Sequence, residues 1–181
     1  MSKLVLSGDT SGSVTLDAPA VSGTTTLTLP TTSGTVLTNG TNSNFPSGSI
    51  LQVVQGTYAT QGSTTSTSYV TTNLTASITP SSSSNKVLVT VSLNGVQSPT
   101  SNYFWSTLYR NATDLAPTAN GFGWSYGSAN ITGGNLTFSY LDSPSTTSST
   151  SYTSYIKVVG GTCYWCVSGV IATIILQEVK S

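Results

Sequence analysis

The pair Ser-Gly recurs at Ser11-Gly12, Ser22-Gly23 and Ser33-Gly34, a spacing of eleven residues that Pro19 and Pro30, and Leu16 and Leu27, also keep. A fixed period constrains a fold strongly, because each repeat has to form the same small unit. Here the unit is a short strand. Val14-Thr15-Leu16 and Thr26-Leu27-Thr28-Leu29 alternate polar and apolar residues, the pattern of a half-buried strand. Ser-Gly and Pro place turns at its ends. Each strand offers only one or two large apolar side chains. That is too little to offset the entropy of ordering about forty residues, at roughly 1–2 kcal/mol each. The segment must therefore borrow a core, from identical segments around a symmetry axis or from another protein. Val14, Leu16, Leu27, Leu29, Val36 and Leu37 are the candidates for that interface.

The repeat region spans 1–40. Residues 41–49 read as a linker, with the turn formers Asn42, Asn44, Pro46 and Gly48. From 50 to 181 the strand signals are regular. The clearest is Lys86 onward, KVLVTVSL, with Val87, Val89, Val91 and Leu93 on one face. Strands are expected at 50–59, 69–78, 86–93, 103–110, 136–141, 152–159, 162–167 and 171–179, with a short one at 121–126. Val159-Gly160-Gly161-Thr162 matches a two-residue hairpin turn. No window shows helical periodicity. The expected fold is all-β: a short β-repeat segment followed by an antiparallel β-sandwich of jelly-roll type, assembled as a homotrimer.

The chain is nearly free of charge. Charged residues make up 6%, while 33 Thr and 32 Ser carry the solvation. Thr suits a pleated surface and Ser suits turns. The five Lys and Arg are scattered at Lys3, Lys86, Arg110, Lys157 and Lys180, so nothing neutralises a run of phosphates and no nucleic-acid partner is expected. The longest apolar run, 171–176, is too short for a membrane helix, and the N-terminus has no signal-peptide pattern. The expectation is synthesis in a cytoplasm and no membrane insertion.

Catalytic equipment is sparse. Histidine is absent, which removes the commonest general base and metal ligand. Cys163 and Cys166 form a C-x-x-C, but a zinc site needs four ligands. In an extended strand i and i+3 point to opposite faces, too far apart for a disulfide. Two free, buried or half-buried thiols without metal are expected. Asp114 and Asp142 stand in turn-like contexts, NATDLAP and LDSPST, where Asp caps the local backbone. No nucleotide-binding or nucleophile motif is present. No enzymatic activity and no cofactor are expected. One segment invites a binding role: 103–126 holds Tyr103, Phe104, Trp105, Tyr109, Phe122, Trp124 and Tyr126. Phe104 and Trp105 read as core or interface. Trp124 and Tyr126, in a glycine-flanked GFGWSYG loop, are the candidates for contact with a glycan, with Asn120 and Asn130 as hydrogen-bonding neighbours.

The phrase SGSVTLDAPAVSGTTTLTLPTTSGTVLT resembles one found in tail-fibre and other virion-appendage proteins of bacteriophages, of the marine and cyanobacterial type. SILQVV, TSTSYVTTNLTASITPSSSSNKVLVTVS and FSYLDSPSTT are similar to the globular part of such proteins. The likeness does not extend to 95–130 or to the surroundings of Cys163. It implies a structural protein of the virion, most simply a short tail fibre that contributes to host adsorption, with 1–40 held by other virion proteins. The alternatives are a capsid decoration or head-fibre protein and, more distantly, a glycan depolymerase. The implied partners are further copies of the chain, other virion proteins and a host cell-surface glycan.

Overall fold

The computed structural model describes residues 3–7, 9–17, 23–24, 26, 31–33, 45–97, 101–116, 118–127 and 133–181, with only the backbone of residues 3, 16 and 17. The chain divides into two compact units, Met1–Val36 and Leu37–Ser181.

In the first unit, β1 (Lys3–Ser7) and β2 (Ser13–Asp17) form an antiparallel hairpin, in register from Lys3 opposite Asp17 to Ser7 opposite Ser13. β2 is the strand read from Val14 to Leu16; β1, formed by the Leu4-Val5-Leu6 patch, was not expected. Leu4, Val5, Leu6 and Val14 are each more than half exposed. A two-stranded hairpin on its own is marginally stable in water, and exposed apolar side chains gain from a further surface to pack against. The interface candidates Leu27, Leu29, Val36 and Leu37 lie outside the described residues, as does the side chain of Leu16.

The second unit holds β3 (Ile50–Tyr58), β4 (Gly62–Thr64), β5 (Val70–Ile78), β6 (Lys86–Gln97), β7 (Tyr103–Arg110), β8 (Thr113–Asp114), β9 (Gly123–Tyr126), β10 (Gly133–Asp142), β11 (Thr150–Val158), β12 (Cys163–Trp165) and β13 (Ala172–Val179). Val91 of β6 pairs with Ile174 of β13 and with Phe138 of β10, so those two strands flank β6. One sheet therefore runs β3-β13-β6-β10, with β12 and β4 extending it beyond the start of β13. The other runs β5-β11-β7, and β8 and β9 share the free side of β7. All pairings are antiparallel, and this strand order is that of a two-sheet jelly roll.

Alternation builds the core. Val87, Val89, Val91 and Leu93 of β6 face Leu74, Ile78, Tyr152 and Ile156 of the opposite sheet, all buried. Removing such rows from water is the main force that closes a sandwich. Trp165 ties the sheets together by donating its indole N–H to the Thr72 carbonyl at 3.1 Å. Gly62 makes room for that ring, which would collide with any Cβ there.

The turn expected at Gly160-Gly161 does not join a hairpin. β11 pairs with β5 and β7, whereas β12 pairs with β4 and β6, so the Gly-Gly segment carries the chain from one sheet to the other. Gly161, with φ +73°, supplies the change of direction. The local turn signal was right, but a local signal does not choose the strand's partner.

The sandwich has two different ends. β3 begins and β13 finishes at one of them, where the Gly48 N–H donates to the Lys180 carbonyl at 2.8 Å and the Lys180 N–H to Ser49 at 2.9 Å. The opposite end gathers the finish of β6, the start of β7, the finish of β9 and the start of β10.

Candidate recognition face

Within β7 the side chains alternate. Phe104, Ser106 and Leu108 are buried between the sheets, while Tyr103, Trp105 and Tyr109 are turned outward. β9 places Trp124 opposite Trp105 and Tyr126 opposite Tyr103, and directly paired residues share a face. The result is a ring cluster on the outer surface of the second sheet. Tyr103 lies 6.0 Å from Trp105 in a stacked arrangement, 5.3 Å from Trp124 edge-on and 4.7 Å from Tyr126 between ring centroids. Trp124 is 59% exposed, Tyr126 45% and Tyr103 41%. Rings usually hide such area from water, so a contiguous exposed group points to a binding surface.

The row continues into β11. Lys157 stands opposite Trp105; its ammonium lies 5.3 Å from that ring and 4.4 Å from the Tyr69 ring, both by cation–π contact. It also donates to the Ala119 carbonyl at 2.6 Å, which the Tyr69 hydroxyl reaches at 3.3 Å. Burial, and then the negative charge of Asp114, push the Tyr69 hydroxyl up to about 12, so it remains a donor at neutral pH. These bonds hold the segment before β9. Gly121 adopts φ +73° and lies against the Ser106 carbonyl with no space for a side chain, and Phe122 donates its N–H to that carbonyl at 2.9 Å.

The GFGWSYG segment is thus not a loop that turns its rings out. Gly123–Tyr126 is a strand, and Trp124 and Tyr126 project by ordinary period-two alternation. Only Gly121 performs the turning role assigned to the flanking glycines. Asn120 is exposed in the turn just before it, and Asn130 lies outside the described residues. Phe104 is core. Trp105 instead joins the outer face. Tyr103 and Trp105 were legible as an i, i+2 aromatic pair on a strand; Tyr69 and Lys157 had no local signal.

The carboxylates are engaged elsewhere. Asp114 accepts from the Thr107 hydroxyl at 2.6 Å and the Ala116 N–H at 3.0 Å, the local cap expected of it. Asp142 is not a turn cap. It is the buried last residue of β10, bonded to Arg110 and Tyr152, because β10 extends one residue beyond the expected strand. Glu178, fully buried at the far end of the sandwich, had no expected role. It accepts from the Asn85 amide and the Gln52 amide at 2.6 Å each, and from the Ser81 N–H and hydroxyl at 2.7 Å each.

Cys163 and Cys166 are both buried and unbridged. They do not sit on opposite faces of one strand, since β12 stops at Trp165 and Cys166 takes a left-handed conformation (φ 53°) before the 3₁₀ turn Val167–Gly169. Burial pushes the Cys163 thiol up to about 12, and burial likewise raises Cys166 against a lowering backbone hydrogen bond. Neither is poised as a nucleophile.

No family model matches the chain, and no curated protein matches it in sequence.

Proposed function

We propose that the chain is a structural protein of a bacteriophage particle, a short tail fibre whose jelly roll contacts the host surface through the Trp124–Tyr103–Tyr126–Trp105 face. The observation that carries the contact role is that cluster of exposed, mutually packed rings on one sheet surface. Aromatic faces are apolar and polarisable and fit the C–H faces of sugars, while Asn120, exposed in the turn before β9, is able to donate and accept hydrogen bonds. The resemblance of residues 11–38 to virion-appendage proteins supports the setting. The exposed apolar side chains of the β1–β2 hairpin support attachment and homotrimer formation through the N-terminal unit, where three copies would supply one another's missing core.

The test is adsorption. Trp124→Ala and Tyr126→Ala proteins are expected to fold and assemble normally and to bind host cells or isolated envelope polysaccharide about thirtyfold more weakly, the loss typical of truncating an aromatic anchor. Unchanged adsorption in both would move the protein to the capsid, where its copy number per particle would reach hundreds. Light scattering checks assembly: a stable monomer with a protease-resistant N-terminus would remove the trimer.

A further inference from the structure

At the end of the sandwich opposite Glu178 lies an open cleft of about 390 Å³, within the size range of about 300–1,000 Å³ usual for small-molecule sites. Gly95 and Gln97 of β6, Asn135 of β10, Val167 and Ser168 of the 3₁₀ turn and Val170 just after it are among the residues that line it. Among the described residues the lining combines primary amides, a hydroxyl, small apolar groups and no charge.

The backbone is shaped around this cleft. Ser168 adopts φ 59° and Cys166 φ 53°, left-handed conformations that disfavour residues bearing a Cβ. The turn is held there by the Cys166 N–H donating to the Asn94 carbonyl at 3.0 Å and by the Asn94 amide donating to Ile171 at 2.8 Å. Gly95 (φ +60°) lets β6 pass beneath it, since a Cβ would stand 3.0 Å from the Val167 nitrogen. Asn135 uses its carbonyl oxygen to accept from the Gly95 N–H at 3.3 Å. The Gln97 amide and the Ser168 hydroxyl make no hydrogen bond with the described residues.

We infer that this cleft binds a neutral, hydroxyl-rich ring, a hexose or N-acetylhexosamine unit. Amides both donate and accept, so a side chain such as Gln97 matches a pair of adjacent sugar hydroxyls. Val167 and Val170 offer an apolar floor for the C–H face. An ionic ligand would find no countercharge among the described lining residues. The site uses none of the rings of the aromatic face, so it stands independently of the proposed host contact.

Saturation-transfer NMR on the full chain with glucose, galactose, mannose and N-acetylglucosamine tests this. At least one is expected to bind saturably with Kd on the order of 1 mM, as suits a few hydrogen bonds. Gln97→Leu and Ser168→Gly are expected to weaken it about tenfold each, while Lys86→Ala, exposed at the far end of β6, leaves it unchanged. Ser168→Gly relieves the left-handed residue, so it should not melt below wild type, and lost binding cannot then be assigned to unfolding. The inference is overturned if no sugar binds saturably, or if the two cleft variants leave binding intact. It is also overturned if only Trp124→Ala removes it, and that last result would support the aromatic face instead.

Discussion

Arg110 Nη1 lies 2.9 Å from both carboxylate oxygens of Asp142, joining the end of β7 in one sheet to the end of β10 in the other. Tyr152 adds its hydroxyl to the same carboxylate at 2.7 Å. Asp142 is almost wholly buried, whereas Arg110 is about a quarter exposed. Removing the cation leaves a buried charge behind, a loss of about 3–5 kcal/mol in fully buried pairs. The partly exposed guanidinium places this case at or below about 3 kcal/mol. Arg110→Met should therefore unfold at distinctly lower urea, and Arg110→Met with Asp142→Leu and Tyr152→Phe should recover most of the loss. A single variant within about 0.5 kcal/mol of wild type would show that the pair is energetically neutral.

Glu178 should make the fold sensitive to acid. Burial alone would raise its pKa, but hydrogen bonds from Asn85, Gln52 and Ser81 outweigh it and hold the carboxyl below its ordinary value of 4.5. A folded-state pKa below the unfolded one adds stability that is present above the unfolded pKa and lost as pH falls through the folded one. Wild type should then lose stability below about pH 4.5. Glu178→Gln should be weaker at pH 7 by about 2 kcal/mol, the scale of hydrogen bonds to a charged group. Its stability should also change less between neutral and acid pH. Parallel slopes in the two proteins, read from denaturant titrations across that range, would contradict the assignment.

Neighbours on β7 should respond in opposite ways. Phe104 is buried and Tyr103 is exposed. Phe104→Ala is expected to cost about 3–5 kcal/mol. Tyr103→Ala and Trp124→Ala should each cost under about 1.5 kcal/mol, the ring-pair contribution alone. Thermal melting of the three proteins separates core from surface without any ligand.

The two thiols should be inert while the protein is folded. Both are buried, and burial raises both pKa values, so little thiolate forms at neutral pH. Ellman's reagent should label neither Cys163 nor Cys166 rapidly in native buffer and both in denaturant. Rapid native labelling, or an intact mass showing a bridge between them, would contradict this.

Most strands of the second unit were legible because alternation is local; the short β4 and β8 carried no such signal and were not expected. Val87, Val89, Val91 and Leu93 share a face through the period-two geometry of an extended chain, whatever that strand packs against. The same reasoning located β7 at its observed ends and placed Tyr103–Arg110 in the sheet. It missed β1, whose three apolar residues in a row show no alternation, and it extended β12 past Trp165, where the chain turns left-handed.

Pairing was decided elsewhere. Gly160-Gly161 reads as a hairpin because a turn is written in a few residues, yet which sheet receives β12 depends on β4 and β6, tens of residues away. Asp142 read as a turn cap, and Glu178 had no expected role. They became buried anchors because Arg110, Tyr152, Asn85 and Gln52 reach them only after the sheets have closed. The aromatic face divides in the same way. Composition and spacing placed the rings at 103 and 105 on a strand, and those at 124 and 126 in a glycine-flanked segment read both as a short strand and as a loop. Only the β7–β9 register placed them on one surface, because the side-chain period fixes the face of each strand and the long-range hydrogen-bond ladder fixes which faces meet.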